Sequence, residues 1–316
     1  MSRRSSMRAL VVVYLKGIFM GAADAVPGVS GGTIALITGI YERLIAAITA
    51  LDPRALRYLP RLHRRTGRAA FRDALVEMDI PFLMALGLGI ATALVTVARL
   101  MAYAFETYPA YVAALFFGLI AASAVVLYEY VSLDTPRRVA VAVFGFALAF
   151  VVSGPEVGSS LPNSPTIVLF AGGIAIAGMI LPGISGAFFL YVLGQYEYLS
   201  NTLTTFTNRL AGLLSGGSVA GLVEPGIVIV AFGVGALVGL FSISYAIRWA
   251  LANYRAATLT FLVSLMVGAL RLPVTDILDH TSNPGPTVIG TILVVAVLGG
   301  VLVLVVDRFT EDIEFS

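Results

Sequence analysis

The sequence predicts an all-α polytopic membrane protein, an inverted repeat of two units, each a broken, re-entrant helical hairpin plus three transmembrane helices. Three observations carry this. The 316 residues are 59% hydrophobic and only 12% charged, whereas soluble domains carry about 25% charged residues. Six apolar stretches approach the roughly 20 helical residues that cross a bilayer. Two further apolar regions are interrupted at their midpoints by the same Pro-Gly-x-Ser-Gly pattern.

The first repeat covers residues 1–153. A basic start with Arg3, Arg4 and Arg8 leads into an apolar stretch without a small-residue cleavage site, so the expectation is a retained helix and not a cleaved signal. Residues 9–51 form the first interrupted region. Helices do not run unbroken through Pro-Gly-x-Ser-Gly, because Pro lacks the amide donor and Gly is conformationally loose. Arms of about 17 residues suit either half-helices that turn back or short full spans. A basic segment, residues 52–79, follows, and then spans over 80–105, 110–130 and 138–152. The second repeat, residues 154–316, has its interrupted region at 165–199 and spans at 226–247, 256–272 and 287–306.

Arginine sets the orientation. The positive-inside rule places Arg54, Arg57, Arg61, Arg64, Arg65, Arg68 and Arg72 in the cytoplasm with the N-terminus. Counting spans onward puts residues 153–165 and 273–286 outside, and Arg137, Arg138, Arg248, Arg255 and the tail with Arg308 inside. Of the 20 Lys and Arg residues, only Arg209 and Arg271 fall at the outer side, while Lys16, Arg43 and Arg99 lie within apolar segments. Both termini are therefore expected in the cytoplasm, and the hairpins open to opposite sides. The basic run serves topology, or lies as a surface helix on anionic lipid headgroups.

The internal repeat is gapless across the hairpins. Pro27-Gly28-Val29-Ser30-Gly31 aligns with Pro182-Gly183-Ile184-Ser185-Gly186 at a constant offset of 155 residues, and so do Gly39 with Gly194, Tyr41 with Tyr196, Glu42 with Glu197 and Leu44 with Leu199. A weaker echo relates Phe117-Gly118-Leu119-Ile120 to Val263-Ser264-Leu265-Met266 at an offset of 146. Interrupted helices at matching positions of inverted halves point to a transporter's binding site. Packing alone would not require Tyr41-Glu42 to repeat as Tyr196-Glu197.

The turns place backbone amides and the Ser30 and Ser185 hydroxyls near broken helix ends, an arrangement that binds phosphate or carboxylate. The first copy continues as Gly32-Thr33, where the second has Ala187-Phe188, so the two are not chemically equivalent. Around them lie ionisable or polar residues inside apolar sequence: Lys16, Asp24, Glu42 and Arg43 at the first, Gln195 and Glu197 at the second, and Arg99 in the first full span. Such residues are costly in a membrane and tend to be functional. Lys16 and Arg43 supply the positive charge that an anionic headgroup needs, and Glu42 and Glu197 are candidate proton carriers. The structural alternative, equally weighted for Lys16 and Arg99, is snorkelling or internal ion pairing, such as Asp24 with Lys16.

The sequence excludes other chemistry. It has no Cys and only two His, His63 and His280, both in polar stretches, so no metal site or cofactor is expected. A membrane enzyme would need a His or carboxylate cluster at a surface loop, and none is evident. Nothing points to nucleic acid.

At the two hairpins, "KGIFMGAADAVPGVSGGTIALITGIYERLI" (residues 16–45) and "GMILPGISGAFFLYVLGQYEYL" (residues 178–199) resemble the signatures of the polyprenyl-phosphate transporter family, also known as domain of unknown function 368. "FFGLIAAS" (residues 116–123) and "LVSLMVGALR" (residues 262–271) resemble its other repeated element, with Ser264 and Ala269 departing from the expected Gly and Ser. The resemblance implies a plasma-membrane flippase that returns polyprenyl phosphate, a C55-type carrier, to the cytoplasmic leaflet, coupled to a proton or sodium gradient. The residues expected to contact that substrate, from their chemistry and their place at the interrupted helices, are Lys16, Asp24, Pro27, Gly28, Ser30, Gly31, Gly32, Thr33, Arg43, Arg99, Pro182, Gly183, Ser185, Gly186 and Gln195. The partners expected are that lipid and the surrounding membrane lipids, and Gly-rich faces permit a homodimer. A small-anion transporter of the same architecture is the rival, since the fold argument supports it equally.

Overall fold

The computed structural model describes residues 3–50, 63, 65–154, 161–178, 185–216, 218–282 and 284–314. Packing divides the chain into two compact units: Met1–Ala23 with Gly31–Leu94, and Asp24–Ser30 with Val95–Ser316.

The first unit holds α1 (Arg3–Asp24), α2 (Gly31–Ile37), α3 (Tyr41–Thr49), α4 (Arg65–Glu77) and the first half of α5 (Ile80–Thr107), and α1, α2, α3 and α5 supply its core of Val13, Ala35, Ile40, Ala47, Phe82 and Leu86. Glycines set how close α1 and α5 come. A Cβ on Gly21 would stand 2.7 Å from the Ile90 carbonyl oxygen, and one on Gly17 or Gly89 would meet backbone of the other helix. Small residues at such crossings are what membrane helices use where water supplies no driving force between them. Of the basic segment, residues 51–62 and 64 lie outside the described residues, and the remainder is largely α4.

The first interrupted region departs from the expected pair of plain arms. Its second arm breaks again, and α2 and the helix after it are bent by 115°. The cause is Gly39, whose φ of +66° is left-handed. The Gly39 amide donates to Leu36 O at 2.9 Å and the Ile40 amide to Ala35 O at 2.9 Å. This is a Schellman helix stop, which favours Gly because a side chain there is strained.

The second unit holds the rest of α5, α6 (Pro109–Val126), α7 (Pro136–Val152), α8 (Pro165–Gly178), α9 (Gly186–Val192), α10 (Tyr196–Gly212), α11 (Val223–Phe241), α12 (Ile243–Ala269), α13 (Arg271–Asp279) and α14 (Pro286–Glu314). Helix starts follow the sequence. Thr135 caps α7 through its side chain, with Pro136 in the first turn, and Ser164 Oγ accepts from the Ile167 amide ahead of α8. In the loop before α7, the Ser132 hydroxyl and then Arg138 hold the Asp134 carboxyl below its ordinary range.

Five described helices are long and apolar enough to cross a membrane: Ile80–Thr107, Pro109–Tyr130, Val219–Ile247, Trp249–Asp279 and Pro286–Phe309. They answer to five of the six expected spans. The sixth is α7, whose 17 residues begin Pro-Arg-Arg and reach only about 26 Å at 1.5 Å per residue. Residues 248–255, expected as a cytoplasmic loop, are helical and broken only at Tyr254 (φ −140°, ψ 41°). Residues 273–279, expected outside as loop, belong to α13, which restarts the helix at Arg271 with Pro273 in its first turn.

The pairing of spans is reciprocal. The second span of the first half, α6, packs on α14, the third span of the second half; α12 packs on α7 in the converse arrangement. The face buried in α6 (Ala113, Phe116, Ile120) recurs at the offset of 146 as Leu259, Leu262 and Met266.

Candidate functional site

The two hairpins touch inside the second unit, where the residues just before the first turn meet Ser185 and Tyr196. Pro27, Gly28, Val29 and Ser30 are all buried there. Gly28 has φ +92°, and a Cβ on it would stand 2.8 Å from the Leu119 carbonyl oxygen and 2.9 Å from Ser123 Oγ. The Ser123 hydroxyl lies 2.8 Å from both the Gly28 and Leu119 carbonyls, to which it donates. From the second hairpin, Ser185 Oγ donates to the Asp24 carbonyl at 3.5 Å, and the Tyr196 hydroxyl donates to the Ala25 carbonyl at 2.6 Å. Ser185 also caps α9 by accepting from the Ala187 amide at 3.2 Å. Phe116 packs edge-on against Tyr191 and Tyr196, at 4.9 and 5.5 Å between centroids.

Gln195 stands out at this place. It is 0% exposed, and neither its Nε2 nor its Oε1 has a hydrogen-bond partner among the described residues. A buried primary amide without partners costs about 1–3 kcal/mol. Gln195 is the N-cap residue of α10 and follows Gly194, whose φ of +66° repeats that of Gly39. The Schellman bonds repeat as well: the Gly194 amide to Tyr191 O and the Gln195 amide to Leu190 O, each at 2.9 Å. At the matching position the first hairpin has Ile40 in an apolar core.

A cavity of about 310 Å³ opens beside the second elbow, lined by Tyr191, Gly194, Glu197, Thr275, Asp276 and Asp279 among others. The Tyr191 hydroxyl donates to Asp276 Oδ2 at 2.8 Å. Neither residue was singled out in the sequence, Asp276 because residues 273–286 read as loop. Ser123 was also missed as a site residue; a lone Ser in an apolar helix carries no signal that separates it from packing.

The other expected site residues are placed as follows. Pro182 and Gly183 lie outside the described residues. Gly186 is buried in the first turn of α9. Arg99 donates to Thr207 Oγ1 at 3.2 Å and Asn208 Oδ1 at 2.8 Å, tying α5 to α10. In the first unit, Gly31, Gly32 and Thr33 open α2. Lys16 Nζ donates to the Thr38 carbonyl at 2.5 Å, at the end of α2, where a cation suits free carbonyls. Arg43 forms a two-pronged pair with Asp79, at 2.6 and 3.0 Å, and lies 4.3 Å over the Phe82 ring. Glu42 and Glu197 are both exposed, in the first turns of α3 and α10. The repeated turns are thus followed by helices of only seven residues, too short for much macrodipole, so hydroxyls, amides and Gln195 carry the polarity.

Comparison with known proteins gives a consistent result. A family profile described as undecaprenyl phosphate translocase-like matches residues 20–285. The chain is 37% identical over 260 residues to the polyprenyl-phosphate transporter of Vibrio cholerae serotype O1, covering 81% of this chain and 75% of that one. It is 28% identical over 317 residues to the polyprenyl-phosphate transporter of Staphylococcus aureus, covering 95% and 97%. No solved structure matches.

Proposed function

Because the chain belongs to the undecaprenyl phosphate translocase-like family, we propose that it transports polyprenyl phosphate across the plasma membrane and returns it to the cytoplasmic leaflet. The observation that carries the reading is the contact of the two hairpins, Ser185 with Asp24 and Tyr196 with Ala25, beside the buried amide of Gln195, which has no hydrogen-bond partner among the described residues. Hydroxyl, backbone and amide donors at membrane depth suit a phosphate headgroup, while the polyprenyl tail remains in lipid. The headgroup contacts are Gly28, Ser30, Ser185 and Gln195. The reciprocal pairing of second and third spans supports two inverted halves, and the arginine distribution supports cytoplasmic termini. Transport is coupled to a proton or sodium gradient, with Glu197 and Asp276 at the cavity as the proton-carrying candidates and Glu42 as the counterpart of Glu197.

The test is movement of labelled polyprenyl phosphate in proteoliposomes under imposed proton or sodium gradients. Wild type is expected to transport it, and Ser185→Ala to lower the rate about tenfold. Inorganic phosphate should not compete. Absence of transport under either gradient overturns the lipid reading, and competition by inorganic phosphate favours a small anion on the same fold. Unchanged pH dependence in Glu42→Gln, Glu197→Gln and Asp276→Asn removes those carboxyls from coupling.

A further inference from the structure

Arg209 is one of two basic residues that the charge count leaves on the outer side, and the headgroup site does not use it. It lies in the last turn of α10, with its guanidinium across Gly221, to whose carbonyl Nη1 donates. Among the described residues no carboxylate comes within ion-pair distance of it: the pairs formed there are Arg43–Asp79 and Arg138–Asp134. Glu224, in the first turn of α11, is exposed. A guanidinium has five N–H donors, so Arg209 keeps several for an anion.

Beside Gly221 begins a groove of about 660 Å³, lined by Leu169 of α8, Phe206 of α10, the 3-10 turn residues Val219 and Leu222, and Ile227 and Val230 of α11, among others that are equally apolar. Any groove that faces lipid is apolar. What selects an occupant here is the cation at its end, one turn of α10 beyond Phe206. The complementary ligand has a single anionic head and a hydrocarbon tail.

We propose that this groove is the capture site for polyprenyl phosphate arriving in the outer leaflet, with the phosphate on Arg209 and the head-proximal isoprene units between α8, α10 and α11. The inference rests on the transport reading above and on its outer-side placement of Arg209. Capture precedes, and is separate from, binding at the repeated turns. Arg209 sets affinity for the head and the groove sets preference for a long tail.

Photocrosslinking of the full chain in nanodiscs by a diazirine-bearing C55 polyprenyl phosphate tests this, with labelled peptides mapped by mass spectrometry. Label is expected on α10 and α11 groove residues, resistant to excess phosphatidylglycerol. Two variants act independently. Gly226→Leu fills the groove, since a Cβ there stands 3.7 Å from the Phe206 ring and further atoms enter open space; Arg209→Gln removes the charge. Each should lower groove labelling about tenfold, with unchanged size-exclusion profile and melting temperature, and Arg209→Lys should recover part of it. Label confined to residues outside the groove, label insensitive to both variants, or displacement by phosphatidylglycerol overturns the proposal, the last making the groove an ordinary lipid seat. A groove occluded by a second copy would give no label and also overturns it. Failure of the transport reading looks different: wild type would label in the groove and still move no lipid in proteoliposomes.

Discussion

The two elbows of this protein share a backbone and differ in chemistry. Gly39 and Gly194 have the same φ of +66°, and the helix-stop hydrogen bonds around them match bond for bond at an offset of 155 residues. At the residue after the glycine, one elbow buries Ile40 in a hydrocarbon core, and the other buries Gln195, whose two polar atoms have no hydrogen-bond partner among the described residues. Nearby, the first elbow's cations are engaged, Lys16 with Thr38 and Arg43 with Asp79. The second opens on a cavity with Tyr191, Asp276 and Glu197. The two elbows thus keep one local geometry while their side chains differ. The elbow whose buried amide has no partner among the described residues is the one beside the contact of the two hairpins.

The largest effect tests that asymmetry directly. Gln195→Leu removes a buried amide that has no partner among the described residues, so stability should rise by about 1–3 kcal/mol. Transport of polyprenyl phosphate should fall about tenfold or more. Stability and activity moving in opposite directions marks a group kept for a ligand. A thermal-shift measurement beside the flipping assay reads both; a fall in each would mean that the amide has a structural partner. The reciprocal change, Ile40→Gln, should cost about 1–3 kcal/mol, because nothing at the first elbow is disposed to receive an amide.

How much of this was legible in the sequence depends on whether the signal was local or repeated. The Pro27-Gly28 turn was readable because its pattern recurs at a constant offset. Gly39 and Gly194 were aligned on the same grounds, yet their role as elbows was not read. A glycine near the end of an apolar run looks the same whether the helix stops there or continues. Ser123 and Asp276 were missed for another reason: each acts through a partner about 85 to 95 residues away in sequence, Asp276 with Tyr191 and Ser123 with Gly28. Arg43 was read as a free cation because Asp79, its partner, belonged to a different expected element.

The shared backbone predicts a second, smaller effect. Gly39→Ala meets open space, so its cost is conformational, about 1–2 kcal/mol for placing an L-residue in the left-handed region. Gly194 has the same φ and should lose at least as much. Chemical or thermal denaturation of the two variants side by side checks the equivalence. A loss at Gly39 close to zero would mean that the first elbow relaxes to another backbone, and the match between the elbows would then be one of sequence only.

The smallest effect concerns the ion pair at the first elbow. Arg43 and Asp79 side chains are 51% and 32% exposed, and pairs at that exposure contribute about 0–1 kcal/mol after screening by solvent and salt. Asp79 itself has φ +49°, a conformation that Asn tolerates as well as Asp, so Asp79→Asn removes the charge without adding backbone strain. Both Asp79→Asn and Arg43→Lys should lower stability by less than about 1 kcal/mol, the second also losing the planar contact with Phe82. If Arg43 serves only the pair, the two variants will have matching, small effects on transport. If Arg43 contacts the phosphate, Arg43→Lys and Arg43→Ala will reduce transport well beyond Asp79→Asn. The first elbow would then share the second's chemistry, and the division of labour between the two would fail at the residue where the sequence first suggested a cation for the headgroup.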